Sequence, residues 1–308
     1  MARRLNRMCF YWAAFFTVCG FIYACLTHHA WDPDPFPEQL IQNHRRQVLE
    51  SVCLENKLNK TGKPISNLVA DRLFVDHTHK FIYCEVPKVG CSNWKRILLL
   101  LKMDLSIEPN QLQHDIIHTT SVLNKLSNYP AKEQRRMLKD YTKVMFSRNP
   151  FQRLVSAYRD KILHTEAYYG TKLVQMIKEK FRTPHKRKEN VTFEEFVSYI
   201  LLGDPNKWDI HWLPMHRLCD PCNIHYDFFG KYETIKEDAD YVLRAIGAPE
   251  RMTYPSVKHY PNESRTNDMM SGMHFRNLSR PLVDRLIDIY KLDFNLFEYS
   301  PLDVIATQ

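Results

Sequence analysis

Twice in this chain an apolar, strand-like run ends in a short polar turn and passes at once into a helical pattern. The first is KFIYCEVPKVGCSNWKRILLLL at residues 80–101, and the second is YTKVMFSRNPFQRLVSAYRDKI at residues 141–162. The remainder keeps that rhythm. VTFEEFVSYILL reads as an amphipathic helix capped by Thr192, IHYDFFGKYE as a strand, TIKEDADYVLRAIGAP as a helix, and RPLVDRLIDIYKLDFNLFEY as a closing helix with an aromatic tail. Strands alternating with helices predict an α/β fold, a central parallel sheet flanked by helices. A length of 308 residues, 44% of them hydrophobic, allows a sizeable core.

The two junctions carry the chemistry. A helix that starts straight after a strand has first-turn N–H groups without intrahelical partners, and its dipole is positive at that end, so the turn attracts phosphate or sulfate. In the first turn Lys88 adds a mobile positive charge and Gly90 allows close backbone approach. Ser92 and Asn93 can cap the helix or donate to oxyanions. The result is a phosphate-binding-loop-like nucleotide site, although the Walker pattern G-x-x-x-x-G-K-[ST] is absent. In the second junction Arg148 stands where a nucleoside triphosphatase would need an acidic magnesium ligand, which favours direct anion binding. Helical spacing groups Gln152, Ser156 and Arg159 on one face, so Arg148 and Ser156 can converge on one phosphate. Pro150 suits the first helical turn, while Arg153 and Arg159 can equally belong to a solvated face.

Location is written at the other end. Phe10 to Leu26 carries no charge, Arg3, Arg4 and Arg7 precede it, and Asp32 and Asp34 follow. An apolar run longer than a usual signal-peptide core, with no A-x-A site after it, predicts an uncleaved transmembrane signal anchor with a cytosolic N-terminus. The expected organisation is a cytosolic tail at 1–9, a transmembrane helix at 10–26, a lumenal stem at 27–67 and the folded domain at 68–308. Sequons at Asn59, Asn190, Asn262 and Asn277 agree with a lumenal location. The net charge of +8 calls for anionic partners, and the lumen argues against nucleic acid. Of the 8 cysteines, Cys53, Cys84, Cys91, Cys219 and Cys222 follow the anchor. In an oxidising lumen they predict structural disulfides with at least one thiol left over.

PKVGCSNWKRILLLL and RNPFQRLVSAYRDK resemble the two donor-binding motifs of Golgi carbohydrate sulfotransferases. HWLPMHRLCDPCNIHYDFFGKYETIKEDADYVL and YKLDFNLFEY resemble the group acting on chondroitin, dermatan and terminal N-acetylgalactosamine, mostly at the 4-hydroxyl. The resemblance covers roughly Leu68 to Tyr299. It implies 3′-phosphoadenosine 5′-phosphosulfate as donor and requires no metal. It also implies a single-pass type II Golgi membrane enzyme with its catalytic domain in the lumen. Pro87, Lys88, Val89, Gly90, Cys91, Ser92 and Asn93 would then hold the 5′-phosphosulfate. Arg148, Asn149, Pro150, Phe151, Gln152, Arg153, Leu154, Val155 and Ser156 would hold the 3′-phosphate. Asn149 stands where the family pattern suggests an acidic residue.

Transfer of a sulfuryl group needs a cation on the leaving oxygen and a base for the attacking hydroxyl. Lys88 is the candidate cation; His118 and His211 are the candidate bases, with His118 favoured because it lies between the two motifs. The acceptor expected is a chondroitin- or dermatan-type glycan, with terminal N-acetylgalactosamine or glucuronic acid on glycoprotein glycans as the alternative. Lys178, Lys180, Arg182, Lys186, Arg187 and Lys188 could guide a polyanion, and Trp208 and Trp212 could stack on sugars or fill the core. The competing classes are a nucleotide-dependent kinase, which lacks its Walker lysine and acidic ligand here, and a non-enzymatic membrane protein that binds glycosaminoglycan.

Overall fold

The computed structural model describes residues 36–59, 64–103, 107–119, 121–164, 167–258 and 260–306. The expected tail and membrane span lie outside these residues. Among the described ones no helix is long and apolar enough to cross a membrane. Two compact units divide the chain, Met1–Asn43 and His44–Gln308. The described part of the first, residues 36–43, is helical.

Helix α1 spans Phe36–Glu55 and the short α2 Asn67–Ala70. Strands β1 (Leu73–Asp76) and β2 (Phe81–Cys84) follow, joined by a four-residue turn and paired antiparallel with Leu73 opposite Cys84. After β2 the chain enters α3 (Cys91–Met103), then α4 (His114–Thr119), the two-residue β3 (Asn124–Lys125) and α5 (Ala131–Asp140). Strand β4 (Thr142–Ser147) leads into α6 (Pro150–Lys161). Helices α7 (Val174–Phe181), α8 (Phe193–Leu202) and α9 (Met215–Cys219) separate it from β5 (Phe228–Lys231). Helices α10 (Ile235–Ala245), α11 (Asp268–Phe275), α12 (Arg280–Leu296) and α13 (Leu302–Ile305) complete the fold.

The sheet order is β3-β1-β2-β4-β5. Strands β2, β4 and β5 run parallel, as expected, whereas β1 and β3 are antiparallel to their neighbours. The expected α/β fold with a parallel centre is present, but the sheet as a whole is mixed. A connection of only four residues between β1 and β2 leaves no room for a crossover and forces a hairpin. Strand β1 is hard to see in the sequence because LFVD is buried on both faces and shows no alternation.

The parallel pairing of β2 with β4 positions everything that follows. Cys84 lies opposite Met145, so both strands end at the same edge, about 4.8 Å apart, and both junctions open there. Under that edge Trp94 of α3 is wholly buried. It stacks on Tyr83 at 5.2 Å and meets Phe146 at 5.2 Å, which locks α3 to both parallel strands. Helix α8 begins at Thr192, whose hydroxyl accepts from Glu195 N at 3.2 Å while Glu195 accepts from Thr192 N at 2.8 Å, a reciprocal cap.

Among the described residues two disulfides join distant segments, Cys53–Cys222 and Cys84–Cys219, and Cys91 remains a thiol. The first fastens α1 to the loop after α9; the second fastens the end of β2 to α9. Their sequence separations of 169 and 135 residues are large, so each removes substantial entropy from the unfolded chain. Replacing Cys84 and Cys219 together with alanine is expected to lower unfolding free energy by about 2–5 kcal/mol, read from urea denaturation without reductant. A loss below about 1 kcal/mol would show that the bridge only decorates a core already held by β2.

Candidate active site at the sheet edge

The two junctions open on one cleft of about 560 Å³, a volume suited to a nucleotide-sized ligand. Pro87, Lys88, Gly90, Cys91, Ser92 and Asn93 line it from the first junction, and Arg148 and Ser156 from the second. His118 and His211 line the same cleft. Seven Lys and Arg side chains face only two carboxylates there, Asp160 and Glu263, so the cleft is built for an anion.

The first turn is bent by two left-handed residues, Lys88 at φ +70° and Gly90 at φ +73°. For lysine this conformation costs about 1–2 kcal/mol, a strain stored at the position that carries the charge. A side chain at Gly90 would meet the Tyr254 hydroxyl at 2.2 Å, so the turn has no space for one. Lys88 Nζ sits 3.0 Å from Asp160 Oδ2, and Lys161 Nζ is 3.2 Å from the same oxygen. Burial alone would raise the Asp160 carboxyl, but the two ammonium groups pull it down to about 2. Burial pushes the Lys88 ammonium below its ordinary pKa, and Asp160 opposes that shift.

Arg148 is 2% exposed and ties the two junctions together. Its guanidinium donates to the Lys88 carbonyl at 3.1 Å, to the Thr266 carbonyl at 2.5 Å and to Gln152 Oε1 at 3.3 Å, and it lies 3.9 Å from the centre of the Tyr232 ring. Gln152 in turn donates to Asp268 at 2.5 Å, so it aims Arg148 from behind.

Several motif residues serve the scaffold. Val89, Phe151, Leu154 and Val155 are core residues, and Pro150 opens α6. Asn149 is the helix cap, accepting from Phe151 N at 2.9 Å and donating to the Ser300 carbonyl at 3.2 Å. An acidic side chain there could accept but not donate. Asn93 reaches across to the Pro255 carbonyl at 2.7 Å. Arg153, at 1% exposure, is not on a solvated helix face and does not line the cleft.

The two histidines differ. His211 Nδ1 lies 2.6 Å from Asp209 Oδ1, and Tyr169 Oη donates to Asp209 Oδ2 at 2.8 Å. Asp209 accepts a hydrogen bond from Nδ1–H, which keeps the proton on that nitrogen and leaves Nε2 as the basic one. Burial pushes the His211 pKa down, Asp209 pulls it back up, and Lys161 and Lys88 push it down further. His118 is committed on both sides: Lys95 Nζ donates towards Nδ1 at 3.4 Å, and Nε2 is 3.0 Å from Ser92 Oγ.

One wall of the cleft carries no motif. This wall, residues 254–258 and 260–266, lines the cleft and contributes Lys258 and Arg265. Arg159 holds it through the Ser264 carbonyl at 3.1 Å and Thr266 Oγ1 at 2.9 Å, and Tyr254 holds it through the Gly90 carbonyl at 3.1 Å. The segment is irregular and polar, so no periodicity marks it. Its only local signal is a basic, aromatic composition.

Other expected contacts go elsewhere. Lys178, Lys180, Arg182, Lys186, Arg187 and Lys188 do not line the cleft, and Arg182 closes its own loop on Glu195 at 2.5 Å. Trp208 and Trp212 are buried core residues. The four sequon asparagines, Asn59, Asn190, Asn262 and Asn277, are exposed.

A mixed sheet with a cationic cleft at the ends of two adjacent parallel strands is an α/β arrangement suited to phosphate-bearing ligands. Residues 71–300 match the family described as the sulfotransferase family, and the chain belongs to it. It is 37% identical over 266 residues to carbohydrate sulfotransferase 8 of Mus musculus, covering 84% of this chain and 64% of that protein. It is 37% identical over 275 residues to carbohydrate sulfotransferase 11 of Rattus norvegicus, covering 85% and 76%. With carbohydrate sulfotransferase 10 of Pongo abelii the identity is 34% over 284 residues, covering 87% and 78%. The chain thus spans under two thirds of the length of the first of these. No solved structure matches it.

Proposed function

We propose that this protein transfers a sulfuryl group from 3′-phosphoadenosine 5′-phosphosulfate to a glycan hydroxyl. In the finer form of the proposal the acceptor is the 4-hydroxyl of N-acetylgalactosamine in chondroitin- or dermatan-type chains. The observation that carries the reading is that the lysine turn and the arginine junction line one cleft, as a single donor with phosphate at both ends requires. The carbohydrate sulfotransferases among its relatives support the glycan as acceptor class. Exposed sequons and two disulfides support a lumenal catalytic unit, which the anchor at residues 10–26 would hold at the Golgi membrane.

The donor supplies an activated sulfuryl group on a phosphate leaving group. Arg148 and Ser156 would take its 3′-phosphate, and the N-terminal turn of α3 with Lys88 its phosphosulfate end. Lys88 neutralises charge on the leaving oxygen, steered by Asp160. His211, held in one tautomer by Asp209, accepts the hydroxyl proton at Nε2. This geometry favours His211 over His118 as the base, because both His118 ring nitrogens are already engaged.

Arg148→Ala tests the donor assignment. Binding of adenosine 3′,5′-bisphosphate, measured by calorimetry, is expected to weaken about 10²-fold, the effect of removing one side of a buried charge-assisted contact. Unchanged binding would remove Arg148 from the donor site.

A further inference from the structure

Arg153 belongs to the same motif as Arg148 but faces away from the cleft. Its guanidinium donates only to backbone carbonyls in the described hydrogen bonds: Nε to Pro87 at 2.9 Å, Nη1 to Leu213 at 2.7 Å and Nη2 to Ile210 at 2.7 Å. Pro87 immediately precedes Lys88; Ile210 and Leu213 bracket His211. These two segments lie on opposite sides of α6 in sequence, and the Arg153 bonds span 66 and 57–60 residues. A fully buried guanidinium is costly to desolvate, and burial pushes its pKa down. An apolar side chain would fill the same space without that cost, but it could not hold three carbonyls from two separate segments in one plane.

We infer that Arg153 is a positioning residue for group transfer, a spacer that sets the separation between the Lys88 turn and the His211 segment. The inference rests on the proposed function. An in-line transfer needs the leaving oxygen, held from the Lys88 side, and the attacking hydroxyl, held from the His211 side, at a fixed distance. The donor grips only the first side. A drift between the segments therefore leaves donor binding nearly intact while it degrades the transition state, and a misplacement of about 1 Å costs about 10²-fold in rate. The same geometry predicts that lysine cannot replace arginine here. A single ammonium on a flexible stem cannot bridge two segments in a plane.

The test uses full-length Arg153→Lys and Arg153→Met. Each is assayed for adenosine 3′,5′-bisphosphate affinity by calorimetry and for kcat and KM. The acceptor is whichever of desulfated chondroitin, desulfated dermatan and N-acetylgalactosamine-terminated glycan the unmodified protein turns over. The expected result is a kcat lowered about 10²-fold with nucleotide Kd within about threefold of the starting protein. Retained nucleotide binding also certifies a folded cleft. Two results overturn the inference: a kcat within threefold for Arg153→Lys, or a loss of nucleotide affinity in step with kcat in both variants. The second would assign Arg153 to the donor site or to general stability. If Arg148→Ala leaves nucleotide binding unchanged and the protein sulfates no acceptor, the proposed function fails. If Arg148→Ala behaves as expected and Arg153→Lys is silent, only the spacer falls.

Discussion

Replacing Lys88 with alanine is expected to lower kcat about 10³-fold while weakening nucleotide binding much less, because its ammonium acts on charge that develops as the leaving oxygen separates. Three features single out this side chain. Its backbone is held at φ +70°, it is largely withdrawn from water, and a carboxylate 3.0 Å away fixes its direction. Withdrawal from water strengthens the interaction with a developing anion, and the same burial lowers the ammonium pKa. The sign of the pH effect follows. A lysine with a lowered pKa loses its proton at lower pH than an ordinary one, so kcat should fall on the basic side at a pH below the usual 10.5. Lys88→Arg should not restore the rate, since a planar fork does not present its charge to Asp160 and the leaving oxygen as a compact ammonium does. A pH–rate profile with an unshifted basic limb, or a Lys88→Ala enzyme within tenfold of the starting rate, would remove Lys88 from the chemistry.

His211→Ala is expected to cost about 10³-fold in kcat with little change in donor affinity, the loss of a general base. The base must be neutral to accept a proton, so the rate rises with pH through the His211 pKa. Burial, with Lys161 and Lys88 nearby, places that pKa below the ordinary 6.5 despite the opposing pull of Asp209. The acid limb of kcat should therefore have its midpoint below pH 6.5. Asp209→Asn removes the negative charge that favours the imidazolium, so the limb should move to still lower pH. The plateau should drop too, because an amide no longer enforces one tautomer. A Tyr169→Phe change should act in the same direction but more weakly, since a neutral hydroxyl 2.8 Å from Asp209 Oδ2 and 3.2 Å from His211 Nδ1 supports the pair without carrying its charge. Retention of the acid limb in His211→Ala, together with its loss in His118→Ala, would transfer the role to His118.

Much of this site is legible along the chain because its signals are local. The strand, turn and helix of each junction follow from apolar runs, a glycine, a proline at the first helical turn and capping residues, all within a few positions of one another. The same holds for the Thr192 cap of α8. Position along the chain is a weaker guide. His118 lies between the motifs in sequence, while His211, about fifty residues beyond the second, carries the carboxylate partner. Arg153 and Asn149 sit inside a binding motif, yet one spans two segments from inside the core and the other caps a helix.

The chain's own order determined that two anion-seeking turns exist, which residues begin their helices and that the surface would be cationic. Those properties depend on neighbours one to four residues apart. Only the tertiary structure decided that β1 pairs as a hairpin, that both turns share one edge and that residues 254–258 and 260–266 wall the cleft beside them. It also decided which cysteines join and which arginine turns inward. The physical reason is range. Burial, cross-sheet pairing and a guanidinium's choice of carbonyls depend on partners scores of residues away, and no periodicity of side chains records where those partners will be.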